Sequence, residues 1–286
     1  MLLAIKLVSY LSMLNVESAA ANLSAERQEL RYLIPLEQAQ PVARALGERL
    51  AHHRFRGPAA NTLPRPHHFV TTVYFDTPER HAFRALRAAR PGEVLRKLRA
   101  REYYDLHPSL AELATDPRQV VRGQRAVWLE LKFRDGTRTG KRRLDVPRAA
   151  VPDLLSGAPA IWPGSDPEVL REIRAFCAGW GQSLRADCLV HYRRLPWQDA
   201  DGALRVTMDL GVEFFGPPVD LWRNDHALTR AHLGPRKGKL QRAIIELKCR
   251  NAPPPWLLDL LAAIRAEPTR LSKFEEASQA VHAVPD

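Results

Sequence analysis

Residues 93–102 read EVLRKLRARE, with Lys97, Arg99 and Arg101 at every second position and Leu98 and Ala100 between them. Successive side chains of a β-strand point to opposite faces. As a strand, this stretch gathers three cations on one face and leaves the other face to a core. The same spacing recurs in four more segments: Arg27, Glu29 and Arg31 in RQELRYLI, Glu130, Lys132 and Arg134 in ELKFR, Arg205, Thr207 and Asp209 in RVTMD, and Glu246, Lys248 and Arg250 in ELKCR. One such strand alone reads most simply as half of an exposed sheet, charged toward water and apolar toward the core. Five strands with Arg-rich faces, several carrying a Glu two positions before a cation, point instead to a closed barrel. Its polar positions would face inward around a ligand cavity. An uncompensated buried charge costs on the order of several kcal/mol, so such an interior is stable only when anions and water fill it.

The rest of the chain fits an α+β protein. Strands are expected at 27–34, 68–76, 93–104, 126–135, 140–147, 187–197, 204–210 and 242–250, where β-branched, aromatic or alternating residues dominate. DGTRTG and QDADG have the composition of hairpin turns. Helical spacing appears at 36–53, in PERHAFRALRAA, and around 149–156, 167–180, 255–265 and 272–283. Residues 216–240, rich in Gly, Pro and charge, read as a long loop. The chain is divided into an apolar N-terminal extension over 1–25 and a single domain over 26–286. The extension lacks the basic start and clean apolar centre of a secretory signal, so a helix or extended start outside the core is expected.

Composition narrows the partners. Lys and Arg outnumber Asp and Glu by 43 to 32, a formal charge of +11, which favours anions such as phosphates, nucleic acid or an acidic membrane surface. No run approaches the ~20 apolar residues of a membrane span. Cys177, Cys188 and Cys249 are odd in number and widely spaced, which supports neither a disulfide framework nor a zinc site, and a reducing cytoplasm is expected. Arg and Lys converging from several strands can hold a triphosphate or a longer phosphate chain, Arg through bidentate contacts and Lys as a point charge. Glu29, Glu130 and Glu246 would repel phosphate. They suit a hard divalent cation, Mg²⁺ or Mn²⁺, bridging to phosphate oxygens. Glu130 has a competing role as the ion-pair partner of a cation on a neighbouring strand, and Asp209 could hold an arginine in the same way. Tyr74, Tyr192 and Trp128 read as barrel packing, and His191, beside Tyr192, belongs to the opposite, outer face.

In order along the chain, ERQELRYLI, TTVYFDT, KLRAREY, VWLELKFR, VHYRR, RVTMDL, IIELK and RLSKF resemble the VTC domain, the polyphosphate polymerase domain of the vacuolar transporter chaperone complex and one of the triphosphate tunnel metalloenzymes. The resemblance covers residues 26–282. It implies an antiparallel eight-stranded tunnel with flanking helices that binds ATP, transfers the γ-phosphoryl group to a growing inorganic polyphosphate and passes the product through the tunnel. Matched by motif, Arg99, Arg101 and Arg205 would grip phosphate, Glu246 would bind metal, and Lys273, with Arg270 on the same helical side, would contact phosphate. Arg31 stands where the family commonly has Lys. Lys97, Lys132, Lys141, Arg194 and Lys248 complete the expected phosphate contacts, with Glu29 and Glu130 as further metal ligands. A tunnel triphosphatase and a non-enzymatic polyphosphate-binding module are the alternatives; sparse aromatic interleaving argues against a specific nucleic-acid interface.

Overall fold

The computed structural model of the protein describes residues 28–53, 67–90, 93–104, 126–135, 138–159, 162, 165–222 and 228–283. The expected N-terminal extension lies outside these residues. Eight long strands form one antiparallel path: β1 (Gln28–Pro35), β3 (His68–Asp76), β4 (Leu95–Tyr104), β5 (Ala126–Asp135), β6 (Arg138–Pro147), β7 (Arg185–Gln198), β8 (Leu204–Phe215) and β10 (Arg242–Cys249). Their order is β1-β10-β8-β7-β3-β4-β5-β6. Three short strands, β2 (Ala51–His52), β9 (Arg236–Lys239) and β11 (Glu267–Pro268), pair with β7, β8 and β1.

The expected closed eight-stranded tunnel therefore needs correction. Among the described residues the sheet has eleven strands and no ladder joins β6 to β1. At the β1 edge β11 pairs with Tyr32 and Leu33. Side chains bridge the seam instead: Thr139 Oγ1 on β6 donates to Glu29 Oε2 on β1 at 3.3 Å. The segment expected to be one long loop also carries a helical turn at Arg230–His232 and strand β9, which extends the sheet along Glu213–Phe215 of β8.

Alternation decides what each face buries. On the outer face of β4, β5 and β6, Leu98, Ala100, Leu129, Leu131 and Leu144 pack against α3 (Val151–Ser156) and α4 (Pro167–Ala178) through Leu154, Ile173 and Phe176. Asp166 starts α4 by accepting from the amides of Glu168 and Val169 at 2.9 and 3.2 Å. On the outer face of β1, β10 and β8, Ile34, Ile245, Leu247, Val206 and Met208 meet Val42 and Leu46 of α1 (Ala39–Gly47) and Leu257 and Leu261 of α5 (Pro255–Ala263). His191 does occupy the outer face, but it is buried there, stacked on Phe69 and 3.1 Å from Thr71 Oγ1. Among the described residues no helix is long and apolar enough to cross a membrane.

The inward face has two halves. At one end Val70, Tyr74, Cys188, Val190, Tyr192, Val212, Phe214 and Ile244 are apolar or aromatic. That end is filled by Ala82 and Phe83 of α2 (His81–Ala88) and by Phe274 and Ala277 of α6 (Lys273–His282). Asp209 and Val212 can share this face only because β8 gains a residue between them. Leu210 and Glu213 stand opposite Arg193 and His191, and Gly211 takes φ 59° at the bulge, a conformation glycine adopts without strain. The other half of the inward face is polar and stays open.

Candidate functional site

The open half is a cavity of about 560 Å³ to which all eight long strands contribute side chains. Period-2 spacing delivers them: Glu29 and Arg31 from β1, His68 and Tyr74 from β3, Lys97, Arg99, Arg101 and Tyr103 from β4, and Lys132 from β5. Thr139, Lys141 and Arg143 come from β6, Arg194 from β7, Arg205 and Thr207 from β8, and Glu246 and Lys248 from β10. Leu271, Ser272 and Lys273 add the start of α6. Among the described residues the lining holds eleven Arg and Lys against two carboxylates.

Carboxylates anchor these cations in three groups. Glu130 is fully buried beneath the cavity. Its Oε2 accepts from Arg99 Nε and Nη2 at 2.9 and 2.7 Å, and its Oε1 accepts from Arg143 Nε and Nη2 at 2.8 and 2.5 Å and from Lys141 Nζ at 3.2 Å. Asp209, also fully buried, receives a two-pronged contact from Arg194 at 2.6 and 2.8 Å and the Lys273 ammonium at 2.6 Å. In the third group Arg31 joins Glu29 to Glu246, with Lys248 Nζ 3.2 Å from Glu246 and Lys132 Nζ 3.7 Å from Glu29. Arg101 is held mainly by neutral groups, donating to Tyr192 Oη at 2.5 Å, Tyr103 Oη at 3.1 Å and Thr72 Oγ1 at 3.2 Å. The guanidiniums are thus oriented before any ligand arrives.

The protonation pattern follows from these pairs. Burial by itself pushes Asp209 up, but Arg194 and Lys273 reverse it and hold the carboxyl at about 2. Glu130 is held well below the usual range by Arg99, Arg101, Lys141 and Arg143 against the same burial, and Glu246 by Lys248 and Arg31. Burial lowers the Lys132 and Lys141 ammoniums to about 7 and about 8. A carboxylate whose folded-state pKa is depressed stabilises the fold above its unfolded value and loses that contribution as pH falls through the folded one. For Asp209 the window runs from the ordinary 3.8 down to about 2. Urea unfolding followed from pH 5 to pH 2 is therefore expected to show stability falling steeply below about pH 4; a flat profile across that range would contradict the buried pairing.

Most sequence expectations converge on this cavity. Arg31, Lys97, Arg99, Arg101, Lys132, Lys141, Arg194, Arg205, Lys248, Lys273, Glu29 and Glu246 all line it. Two do not. Arg270 precedes α6, is exposed and lies outside the lining, because the helix that would have aligned it with Lys273 begins only at Lys273. Glu130 does not suit a metal, since it is fully buried outside the lining and gives both its oxygens to cations from β4 and β6. Glu29 and Glu246 are ion-paired as well, to Arg31, Lys132 and Lys248, but unlike Glu130 they line the cavity, where an entering divalent cation can compete for them. Both face the cavity and share Arg31, and Mg²⁺ commonly takes one or two carboxylates and completes its shell with phosphate oxygens and water. Among the described residues no group of three or more acidic, His or Cys side chains could enclose a metal alone.

Sequence reasoning missed Arg143 and Tyr103, though the signal was present. Arg143 is two residues beyond Lys141 and Tyr103 two beyond Arg101, on the same strand faces. The Arg143 guanidinium also lies over Trp128, 4.8 Å from the ring centroid. His53 and His68 reach the cavity from a strand end and a strand start, and no periodicity marks them.

The profile of the VTC domain family matches residues 26–282. No curated protein matches the chain. Among solved structures, a candidate adenylate cyclase from Bacillus halodurans aligns with 11% identity and a TM-score of 0.43 over 87% of this chain and 94% of its own. The Schizosaccharomyces pombe Mediator head module aligns at 11% identity and 0.40, over 86% and 99% of the two chains. A candidate adenylate cyclase from Vibrio parahaemolyticus aligns at 10% identity and 0.39, over 87% and 97%. With TM-scores below 0.5, these likenesses carry no inference about this chain.

Proposed function

The chain belongs to the VTC domain family, and we propose that it is a metal-dependent polyphosphate polymerase of the cytoplasm that transfers the γ-phosphoryl group of ATP to a growing inorganic polyphosphate. The observation that carries this reading is the excess of eleven cavity cations over two cavity carboxylates among the described residues, the cations drawn from seven of the eight long strands and from α6. A phosphate chain is the polyanion that such a surface can hold along its length. A single phosphate or a carboxylate metabolite would leave most of the cations unused.

In this reading Arg99 and Arg101 hold phosphoryl oxygens through their planar donor forks, and Arg205 and Lys273 add positive charge at other points of the lining. Arg31, Lys97, Lys132, Lys141, Arg194 and Lys248 bind the rest of the chain. Phosphoryl transfer asks the protein for positioning and charge neutralisation more than for covalent chemistry. Because most of these cations are already braced by Glu130, Asp209, Glu29 and Glu246, little side-chain ordering remains to be done when the polyanion binds. A divalent Mg²⁺ or Mn²⁺ held by Glu29 and Glu246 would supply charge neutralisation on the phosphate oxygens.

Incubation of the purified protein with ATP and Mn²⁺ is expected to give ADP and an acid-stable phosphate polymer. Release of orthophosphate alone would replace this reading with a tunnel triphosphatase, and binding of polyphosphate with no turnover would leave a binding module.

A further inference from the structure

One sector of the cavity wall is built from rings. His53, His68, Tyr103 and Pro196 line it, at the end of the cavity where β2 and β3 both pair with β7. Alternation along β7 turns Pro196 inward and the next residue, Trp197, into the outer core. β2 follows the same rule. His52 lies opposite Trp197 and stacks on it, with ring centroids 5.5 Å apart, so His53 faces the other side and reaches the cavity. The His53 amide donates to the Pro196 carbonyl at 3.0 Å, which holds the two residues side by side. Across the sector His68 is buried, its ring centroid 5.8 Å from that of Tyr103. Arg194 stands opposite His68 in the ladder, and Arg101 and Arg205 border the rings closely enough to act on their charge. Burial first and these guanidiniums second disfavour the imidazolium forms: His53 is lowered and His68 is pushed down to about 3. Two neutral imidazoles, a phenol and a proline ring offer little to a phosphate group. They present flat, uncharged surface beside cations, which complements a flat, uncharged heterocycle that carries a phosphate chain.

We propose that His53, His68, Tyr103 and Pro196 form a nucleoside subsite, where the base of the phosphoryl donor stacks while its triphosphate runs inward past Arg194, Arg205 and Arg101. The subsite rests on the phosphate-chain reading above, which accounts for the cations but gives the base and sugar of the donor no place. It separates the two substrates by chemistry. The donor, a nucleotide, draws part of its affinity from contacts that do not depend on charge, whereas an inorganic acceptor chain gains nothing from the rings. Contacts to this non-reacting part of the donor also help to orient the phosphates next to it.

The test compares ATP with inorganic tripolyphosphate, which lacks the nucleoside, by calorimetric titration of the full chain in EDTA without divalent metal. His53→Ala removes a half-buried ring, which the fold should tolerate. It is expected to weaken ATP binding about tenfold, within the usual worth of one stacked base, and tripolyphosphate binding less than about twofold. His53→Phe supplies a flat ring without the imidazole nitrogens and should bring ATP back to within about threefold of the wild type. Irradiation of the wild type with 8-azido-ATP locates the base without any substitution, and label is expected on the peptides carrying His53, His68 or Pro196. An unchanged ATP affinity in His53→Ala, an equal loss for ATP and tripolyphosphate, no recovery in His53→Phe, or label found only outside this sector overturns the subsite and leaves the phosphate-chain reading standing. Failure of tripolyphosphate to bind the wild type at all overturns both.

Discussion

Arg101→Ala is expected to lower the rate of ATP-dependent polymer formation by about 10²–10³-fold, the usual cost of removing one preorganised donor from developing charge. Arg101 is suited to that role because its guanidinium is buried and aimed by three neutral acceptors, Tyr103, Tyr192 and Thr72, none of which competes with phosphate for its charge. Among the described residues its one acidic ion-pair partner, Glu130, is 4.0 Å away and keeps Arg99, Arg143 and Lys141 when Arg101 is lost. The variant should therefore fold, with a melting temperature within a few degrees of the wild type. Arg101→Lys should recover little, since an ammonium cannot reproduce the fork that bridges two phosphate oxygens. Initial rates of ADP release and of polymer formation measure both effects; a loss under threefold in Arg101→Ala would remove this residue from the reacting phosphates.

Glu130→Gln carries the largest expected effect on stability. The change keeps the shape of the side chain and removes the anion to which three cations hydrogen-bond. Breaking a buried pair from one side costs about 3–5 kcal/mol because it strands the partner charge. Two of the three partners, Lys141 and Arg143, have side chains 47% and 33% exposed and can turn toward water, whereas Arg99, at 10%, cannot. The lower end, about 3 kcal/mol, is therefore expected. In a protein of this size that corresponds to a fall of roughly 6–12 °C in melting temperature. The stranded cations border a cavity open to polyanions, so tripolyphosphate should raise the melting temperature of the variant more than that of the wild type. An unchanged melting temperature would mean that Glu130 is not the anchor of this group. A loss of activity reversed by more Mn²⁺, with stability intact, would return Glu130 to the role of metal ligand.

Both expectations depend on a distinction that period-2 spacing expresses only in part. Alternation reports which residues share a face, so Lys97, Arg99 and Arg101 could be grouped, and likewise Glu29 with Arg31 and Glu246 with Lys248. Glu130 and Lys132 share the inward face of β5 just as clearly, yet one lies beneath the cavity floor and the other lines the cavity. Depth along the strand and the reach of neighbouring guanidiniums separate them, and neither is written in the spacing. The same spacing carried Arg143 and Tyr103, which follow recognised positions at intervals of two. Arg270 failed for a different reason: its expected alignment with Lys273 assumed helical geometry one turn before the helix begins.

By itself the sequence determined that charge collects on one face of several strands and that the chain is α+β with eight long antiparallel strands, because pleating fixes the side of each residue within a strand regardless of what surrounds it. Only the tertiary structure decided that no ladder joins β6 to β1 among the described residues, that α6 and α2 fill one end of the inward face, and which carboxylates are spent as counter-ions beneath the cavity. Those outcomes depend on pairing between segments more than two hundred residues apart, as when Arg31 reaches Glu246. A local pattern carries no information about which distant charge will stand within reach.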